Sequence, residues 1–304
     1  MTAAAPQPPW PGRVLVLANP IAGRGLGEAL ARQLEQRLRN EGYSIRTWLG
    51  RPEDLEQTEL TGGLESAIVI GGDGTLRAAA ERLIRGDILP PLLPVPLGTA
   101  NLMVRHLGIH WNRSNLEQRV VASLRRHRVL HLDAGRVNGR LMLLVAGVGF
   151  DAQIVQELDR IRRGPISLRH YLIASGIALT KFRPTSLRVA LDGKEIFVED
   201  QAVAFVGNLA EYGTGFAVLP HARPDDGLLD VCVLPCRSRT ELVRLFMLAA
   251  AGEHTAVEGA VYGQGKHVRI ESAIPAPVQV DGDPAGHTPV EIDLLPIRLP
   301  FIVG

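Results

Sequence analysis

Short apolar runs alternate with amphipathic stretches over the first 130 residues. Arg13–Ala18, Tyr43–Leu49, Ser66–Ile70 and Leu92–Val95 read as strands. Leu30, Leu34 and Leu38 share one face of a helix predicted over Leu26–Asn40, closed by Gly42. Glu53–Leu60 predicts a weak helix, and Leu76–Ile84, Leu102–Leu107 and Asn115–Arg126 predict three more. Strands that alternate with helices predict an open parallel sheet with flanking helices. In such sheets ligands lie beyond the carboxyl ends of the strands.

Near residue 130 the period changes. Val129–Val137 and Leu141–Val148 flank Asn138-Gly139, and Leu187–Leu191 and Glu195–Val198 flank Asp192-Gly193; both dipeptides are hairpin signals. Further strands are predicted at Ala202–Gly207, Leu228–Leu234, Val257–Tyr262, His267–Ser272, Val278–Val280 and Val290–Leu294. Helices are predicted at Ala152–Ile161, Ser167–Phe182 and Thr240–Ala250. The fold class is therefore α/β: a parallel-sheet domain over 13–130, then an antiparallel, sandwich-like β domain over 131–304. Whether the last strand returns to the first domain is left open. Residues 1–12, rich in alanine and proline, read as a disordered tail.

Composition narrows the function classes. Hydrophobic residues make up 46% of the chain and charged residues 21%, as in a globular protein with a real core. A net charge of +1 supplies no field for nucleic acid. Cys232 and Cys236 have no histidine at ligand spacing, which argues against zinc and for reduced thiols. No apolar run reaches the ~20 residues of a membrane-spanning helix. The N-terminus lacks the charged start and apolar core of a signal peptide, so the expected location is cytoplasmic.

The candidate chemistry lies at strand ends. Gly71-Gly72-Asp73-Gly74-Thr75 joins a strand to a helix. Glycines let the backbone approach a bulky anion, and the N–H groups of a helix start point at it. Taken alone, the same turn could also be an empty bend. The Walker pattern GxxxxGK[ST] is absent. Gly147-Val148-Gly149-Phe150-Asp151-Ala152 matches a dinucleotide fingerprint in form, but it lies in the β-rich half and reads as close strand–helix packing.

Three loops occur in order on one sheet edge: Asn19-Pro20-Ile21-Ala22-Gly23, Gly71–Thr75 and Pro96-Leu97-Gly98-Thr99-Ala100-Asn101. With Asp225-Asp226-Gly227-Leu228-Leu229-Asp230, they make the chain resemble the diacylglycerol kinase catalytic-domain family, which includes ceramide and sphingosine kinases. The soluble bacterial members are the nearest in pattern. The resemblance implies an ATP- and Mg²⁺-dependent lipid kinase whose first domain is like those of NAD kinases and phosphofructokinases. Asn19, Pro20, Ile21, Ala22 and Gly23 would line the nucleotide, with Thr47 a further contact. Gly71, Gly72, Asp73, Gly74, Thr75, Leu76 and Arg77 would wrap its phosphates, and Thr99 would donate to them. Arg24 is a candidate γ-phosphate partner or a solvated loop residue. Asp73 would orient Mg²⁺–ATP.

The family's late Asp-Gly-Glu reads Asp281-Gly282-Asp283 here, so Asp283 would be the base that accepts the hydroxyl proton, with Asp281 as the alternative. A hydrated structural Mg²⁺ would take the carboxylate of Asp226 and the carbonyls of Arg223 and Leu228. Leu102 stands where many members carry Asp, and Arg77 where many carry Asn. The first departure removes a carboxylate near the metal, and the second adds a candidate phosphate contact. Arg160, Arg162, Arg163, Arg169 and Lys181 beside the apolar Tyr171–Leu179 suit an anionic membrane surface. The implied partners are a lipid substrate and a peripheral membrane surface, with a homodimer as an option and no nucleic acid. Alternatives are a kinase for a soluble acceptor such as NAD, and a non-catalytic nucleotide- or lipid-binding regulator.

Overall fold

The computed structural model describes residues 12–60, 63–161, 168–213 and 216–304, with the side chains of Arg24, Glu59, Arg113, Leu168 and Glu199 excepted. The tail up to residue 11, Arg162 and Arg163 lie outside the described residues. Contacts divide the chain into two compact units. One ends at Leu130 and takes in Leu299–Gly304; the other is His131–Arg298.

The first unit holds β1 (Arg13–Ala18), α1 (Ala22–Asn40), β2 (Ser44–Leu49), β3 (Ser66–Gly71), α2 (Asp73–Arg85), β4 (Leu92–Pro96), α3 (Leu102–His106) and α4 (Leu116–Arg126), and β5 (Val129–Leu132) runs across its end at Leu130. β1 pairs in parallel with β2 and β3, and β3 with β4. The sheet order is β2-β1-β3-β4, then the strand Leu299–Ile302, then β5. β3 is buried along its whole length, as a central parallel strand must be when both faces are covered. Leu34 and Leu38 of α1 are fully buried against the sheet. α1 begins at Ala22, four residues before the apolar period does, and its first turn contains Gly23 (φ +59°) and Gly25 (φ +88°), angles that glycine adopts without steric cost. The expected helix at 53–60 is two 3₁₀ turns, Pro52–Asp54 and Gln57–Leu60. Pro52 opens the first, and neither segment is long enough to nucleate an α-helix.

The second unit is antiparallel throughout. Its elements are β6 (Gly135–Val137), β7 (Arg140–Met142), β8 (Val145–Val148), α5 (Phe150–Ile161), α6 (Leu168–Lys181), β9 (Ser186–Leu191), β10 (Lys194–Gly207), β11 (Leu229–Pro235), α7 (Arg239–Ala251), β12 (Val261–Gly265), β13 (His267–Ser272), β14 (Pro277–Val280), β15 (Asp283–His287) and β16 (Val290–Leu294). The order is β15-β14-β8-β10-β9-β13-β16-β6-β7, with β11 and β12 continuing from β10. β10 serves two sheets. Its first half pairs with β9, its second half with β8 and β11, and the register shifts between Glu195 and Asp200. Val148, Val189, Ala204, Val231, Val233, Ile270, Val278 and Ile292 pack between the strands as one core. Asn138-Gly139, Asp192-Gly193 and Asp281-Gly282 are two-residue turns with both φ positive, the geometry that matches strand twist.

Two expected long strands are each broken by polar commitments. The segment 129–137 divides at Asp133, whose N–H turns to the carbonyl of Pro224 (2.6 Å). The segment 141–148 divides at Leu143-Leu144, whose N–H groups turn to the Asp281 carboxylate. Conversely, 195–198 and 202–207 are one strand. Val290–Leu294 stays in the second unit, paired with β13 and β6, and the strand that joins the first sheet is Leu299–Ile302 (β17), parallel to β4.

Candidate active site

Three loops leave the carboxyl ends of β1, β3 and β4, and glycines let them meet. A Cβ on Gly98 would stand 2.6 Å from Gly72 Cα and 2.7 Å from Asn101 Oδ1. A Cβ on Gly72 would meet Gly98 Cα at 3.1 Å, and one on Gly23 would meet Leu97 Cβ at 3.2 Å. Leu97 N–H donates to Gly71 O (2.8 Å), which ties the second loop to the third. By contrast, a Cβ on Gly74 would meet nothing within 4 Å. The open side of the turn is therefore at Gly74, in the first turn of α2, where the N–H groups have no acceptor within the helix.

Each loop is fixed internally. Asn19 Oδ1 accepts the N–H of Ile21 (3.2 Å), and Asn19 O accepts that of Ala22 (3.0 Å). Asn101, left-handed at φ +48°, accepts the Gly98 N–H (3.0 Å) and donates from Nδ2 to Gly98 O (2.8 Å). Thr99 is exposed at the tip of that turn. Asp73 joins two elements: its carboxylate accepts the N–H groups of Leu102 (3.0 Å) and Met103 (3.1 Å) at the start of α3. Burial pushes the Asp73 carboxyl above its ordinary value, and those N–H groups pull it back only in part. Thr47 Oγ1 donates to Glu35 Oε2 on α1 (2.9 Å). Arg77 is 6% exposed, with its guanidinium 4.0 Å from the Glu81 carboxylate, so it packs inside α2's contacts. Leu102 is buried. The side chain of Arg24 lies outside the described residues.

In the second unit the two candidate carboxylates of the β14–β15 turn differ. Asp281 (φ +51°) accepts three backbone N–H groups, from Leu143 (2.8 Å), Leu144 (2.9 Å) and Val145 (3.1 Å). Asp283 is half-buried and pairs with Arg140 Nη2 (3.0 Å), while Arg140 Nη1 donates to Pro284 O (2.9 Å). Sequence reasoning missed Arg140; its partner lies 143 residues away, and no local pattern marks it.

Arg223, Asp226 and Leu228 lie in one loop before β11. Asp226 is exposed, and its Oδ1 accepts the N–H of Leu228 (3.0 Å). The buried Asp133 pins this loop: its Oδ2 accepts the Gly227 N–H (2.7 Å) and its Oδ1 the Nε–H of Arg298 (2.8 Å). Below it, Asp230 is fully buried and accepts the Tyr262 hydroxyl (2.6 Å). Among the described residues no cluster of three or more His, Cys, Asp or Glu side chains is placed to hold a metal. A hydrated ion held by one exposed carboxylate and backbone carbonyls needs no such cluster, and the loop's oxygen donors suit Mg²⁺.

Residues 13–137 match the diacylglycerol kinase catalytic domain, and 144–303 match the YegS C-terminal NAD kinase beta sandwich-like domain. A Mycobacterium tuberculosis protein named diacylglycerol kinase is 31% identical over 297 residues, covering 95% of this chain and 94% of the relative. A Bacillus subtilis diacylglycerol kinase is 25% identical, covering 92% of each. The crystal structure of a diacylglycerol kinase from Bacillus anthracis str. Sterne superposes with a TM-score of 0.68 at 21% identity over 98% of both chains, a likeness of fold. With both halves matched in order and a relative above 30% identity along nearly its whole length, the chain is a kinase of the diacylglycerol kinase family.

Proposed function

We propose that the protein transfers the γ-phosphate of Mg²⁺–ATP to a hydroxyl of diacylglycerol, ceramide or a related lipid at a membrane surface. The observation that carries the reading is the convergence of the three glycine loops, with open space at Gly74 in the first turn of α2. Phosphoryl transfer depends mostly on positioning and charge stabilisation. Backbone N–H groups at Gly71–Thr75 would hold the phosphates, with Asn19–Gly23 and Thr99 beside them; the Leu76 N–H is taken by Gly72 O (3.0 Å). Mg²⁺ would neutralise phosphate charge, and a second, structural ion would sit at Asp226 with the carbonyls of Arg223 and Leu228. Asp283 takes the proton of the lipid hydroxyl as that oxygen attacks phosphorus and ADP departs. Arg140 orients the Asp283 carboxylate. Asp281, held by three N–H groups, shapes the turn.

Two helices support a lipid surface. α6 and α7 are apolar nearly all round, yet Leu172, Ile173, Val243 and Met247 are exposed, Met247 by 70%. A helix of that composition is ordinarily buried. Arg169, Arg239 and Arg244 lie exposed on the same helices, as anionic headgroups require. Arg160 and Lys181 contribute less charge, because both pair with Glu157. No helix among the described residues is long and apolar enough to cross a membrane.

The test is incubation with γ-labelled ATP and phosphatidylcholine vesicles carrying diacylglycerol or ceramide. Label is expected in the lipid phase as a phosphomonoester. Nucleotide binding with no labelled lipid, or label on NAD instead, would overturn the proposal.

A further inference from the structure

The Gly147–Ala152 stretch has a form that the kinase reading leaves unexplained, and the structure shows what its glycine accommodates. Any Cβ at Gly147 would collide with Asp151 Oδ2 and stand 3.0 Å from Gln279 Nε2. The glycine clears space in β8 for a carboxylate and an amide. Asp151, in the first turn of α5, is 8% exposed; its Oδ2 is a buried oxygen with no hydrogen-bond partner of its own, while the carboxyl group interacts with the Tyr212 hydroxyl and the Gln279 amide. Gln279, on β14, is fully buried. Its Oε1 accepts the N–H of Gly282 (2.9 Å), and its Nε2 lies 3.4 Å from Val145 O. Gly282 is the middle of the turn that carries Asp281 and Asp283.

We propose that Asp151 is a positioning residue for this turn: through the Gln279 amide it fixes the Gly282 N–H, and with it the carboxylates on either side. The reasoning is one of donors and acceptors. An amide offers its oxygen at one end and its N–H groups at the other. A carboxylate can only accept, so an ionised Asp151 keeps Nε2 toward itself and Oε1 toward Gly282. A protonated Asp151 can also donate, and that constraint on the amide is lost.

Burial pushes the Asp151 carboxyl up to about 6, against the pull of the Tyr212 hydroxyl and Gln279. The groups that face this site are Tyr212 after β10, Gln279 on β14, Asp281 in the turn and Tyr171 on α6. The Arg140–Asp283 pair lies beside the turn, and Glu157 further along α5 is occupied by Arg160 and Lys181. Tyr212 stays protonated, driven well above its ordinary value by burial and then by the Asp151 charge. Asp151 is thus the member of the network that changes state near pH 6.

The test follows the Gly282 amide of the full-length protein by ¹H–¹⁵N correlation from pH 5 to 8. Its resonance is expected to titrate with a midpoint near pH 6 in the wild-type chain and in Asp283→Asn, and to lose that midpoint in Asp151→Asn. Should Asp151→Asn not fold, Gln279→Met severs the same link and is expected to abolish the midpoint. A Gly282 amide that does not titrate, or that keeps its midpoint in either variant, overturns the proposal. The kinetic arm rests on the lipid kinase reading. In Asp151→Asn the acid limb of kcat near pH 6 disappears and kcat falls about 10- to 100-fold, with KM for ATP unchanged. A wild-type chain that phosphorylates no lipid counts against the kinase reading, while the amide titration still decides the role of Asp151.

Discussion

Gly98→Ala tests the convergence of the loops directly. The added methyl would stand 2.6 Å from Gly72 Cα and 2.7 Å from Asn101 Oδ1, whereas carbon atoms rest about 3.5–4.0 Å apart. The second and third loops must therefore part by about 1 Å. Both neighbours are rigid: one is backbone, and the other is an amide held by two bonds to residue 98 itself. Overpacking of this kind costs about 1–3 kcal/mol, and a 1 Å misplacement at a phosphate site lowers turnover about 10²-fold. Gly74→Ala is the control, since its methyl meets nothing within 4 Å. Calorimetric titration with an ATP analogue and thermal melts should separate the two. Gly98→Ala is expected to lose both stability and affinity. Gly74→Ala should keep its melting temperature and lose affinity alone, because its methyl enters the space assigned to phosphate. Wild-type affinity in Gly98→Ala, or in both variants, would refute the reasoning.

Asp281→Asn replaces an acceptor of three backbone N–H groups with a side chain that must turn a donor or a single oxygen toward them. Hydrogen bonds to charged groups contribute about 1.5–3 kcal/mol each, so a loss of about 3 kcal/mol is expected in urea denaturation; an unchanged midpoint would count against it. Asp151 makes stability depend on pH in the opposite sense to a salt-bridged aspartate. Its carboxyl stands near 6 in the folded chain against an ordinary 3.8, so the folded state binds the proton more tightly. Stability therefore falls as pH rises from about 4 to 6, by about 3 kcal/mol in all, and is level above that. Asp151→Asn should flatten this slope, read from unfolding free energies across that range. Burial raises the Cys232 thiol to about 12 and the Cys236 thiol to about 11. Native protein at pH 8 should leave both unmodified by a thiol reagent that labels the unfolded chain within minutes.

Much of the fold was legible because its signals are local. The buried run Ser66–Ile70, the helical spacing of Leu34 and Leu38, and the Asn138-Gly139 and Asp192-Gly193 turns each announce an element within a few residues. The failures share a cause. Nothing near Leu143 shows that its N–H will leave the ladder for a carboxylate 138 positions later. Likewise Leu299–Ile302 contains a proline, and only its pairing with β4 makes it a strand. β15 was missed because Asp283-Pro284-Ala285-Gly286 lacks apolar alternation; it exists because the Asp281-Gly282 turn delivers it beside β14.

The site was legible in residue type but not in commitment. The spacing of Asp281 and Asp283 offers two candidate bases, and their chemistry is the same on paper. Their partners distinguish them. A carboxylate whose lone pairs are engaged by donors takes a proton at the expense of those bonds. For Asp281 that means loosening three charge-assisted bonds to backbone, at about 1.5–3 kcal/mol apiece, and disturbing the entry to β8. For Asp283 the pair with Arg140 joins two side chains each about one-third exposed, and solvent-screened pairs contribute only about 0–1 kcal/mol. Arg140 donates from a side chain that also holds Pro284 O (2.9 Å), whereas the donors of Leu143–Val145 are backbone. The same test bears on Asp73, whose carboxylate holds the start of α3 through Leu102 and Met103. Its replacement by alanine should loosen the third loop as well as weaken nucleotide binding, so lost activity in that variant reports on architecture as much as on metal. On the proposed reading the base is Asp283, whose ion-pair partner is a side chain and not the backbone that Asp281 holds.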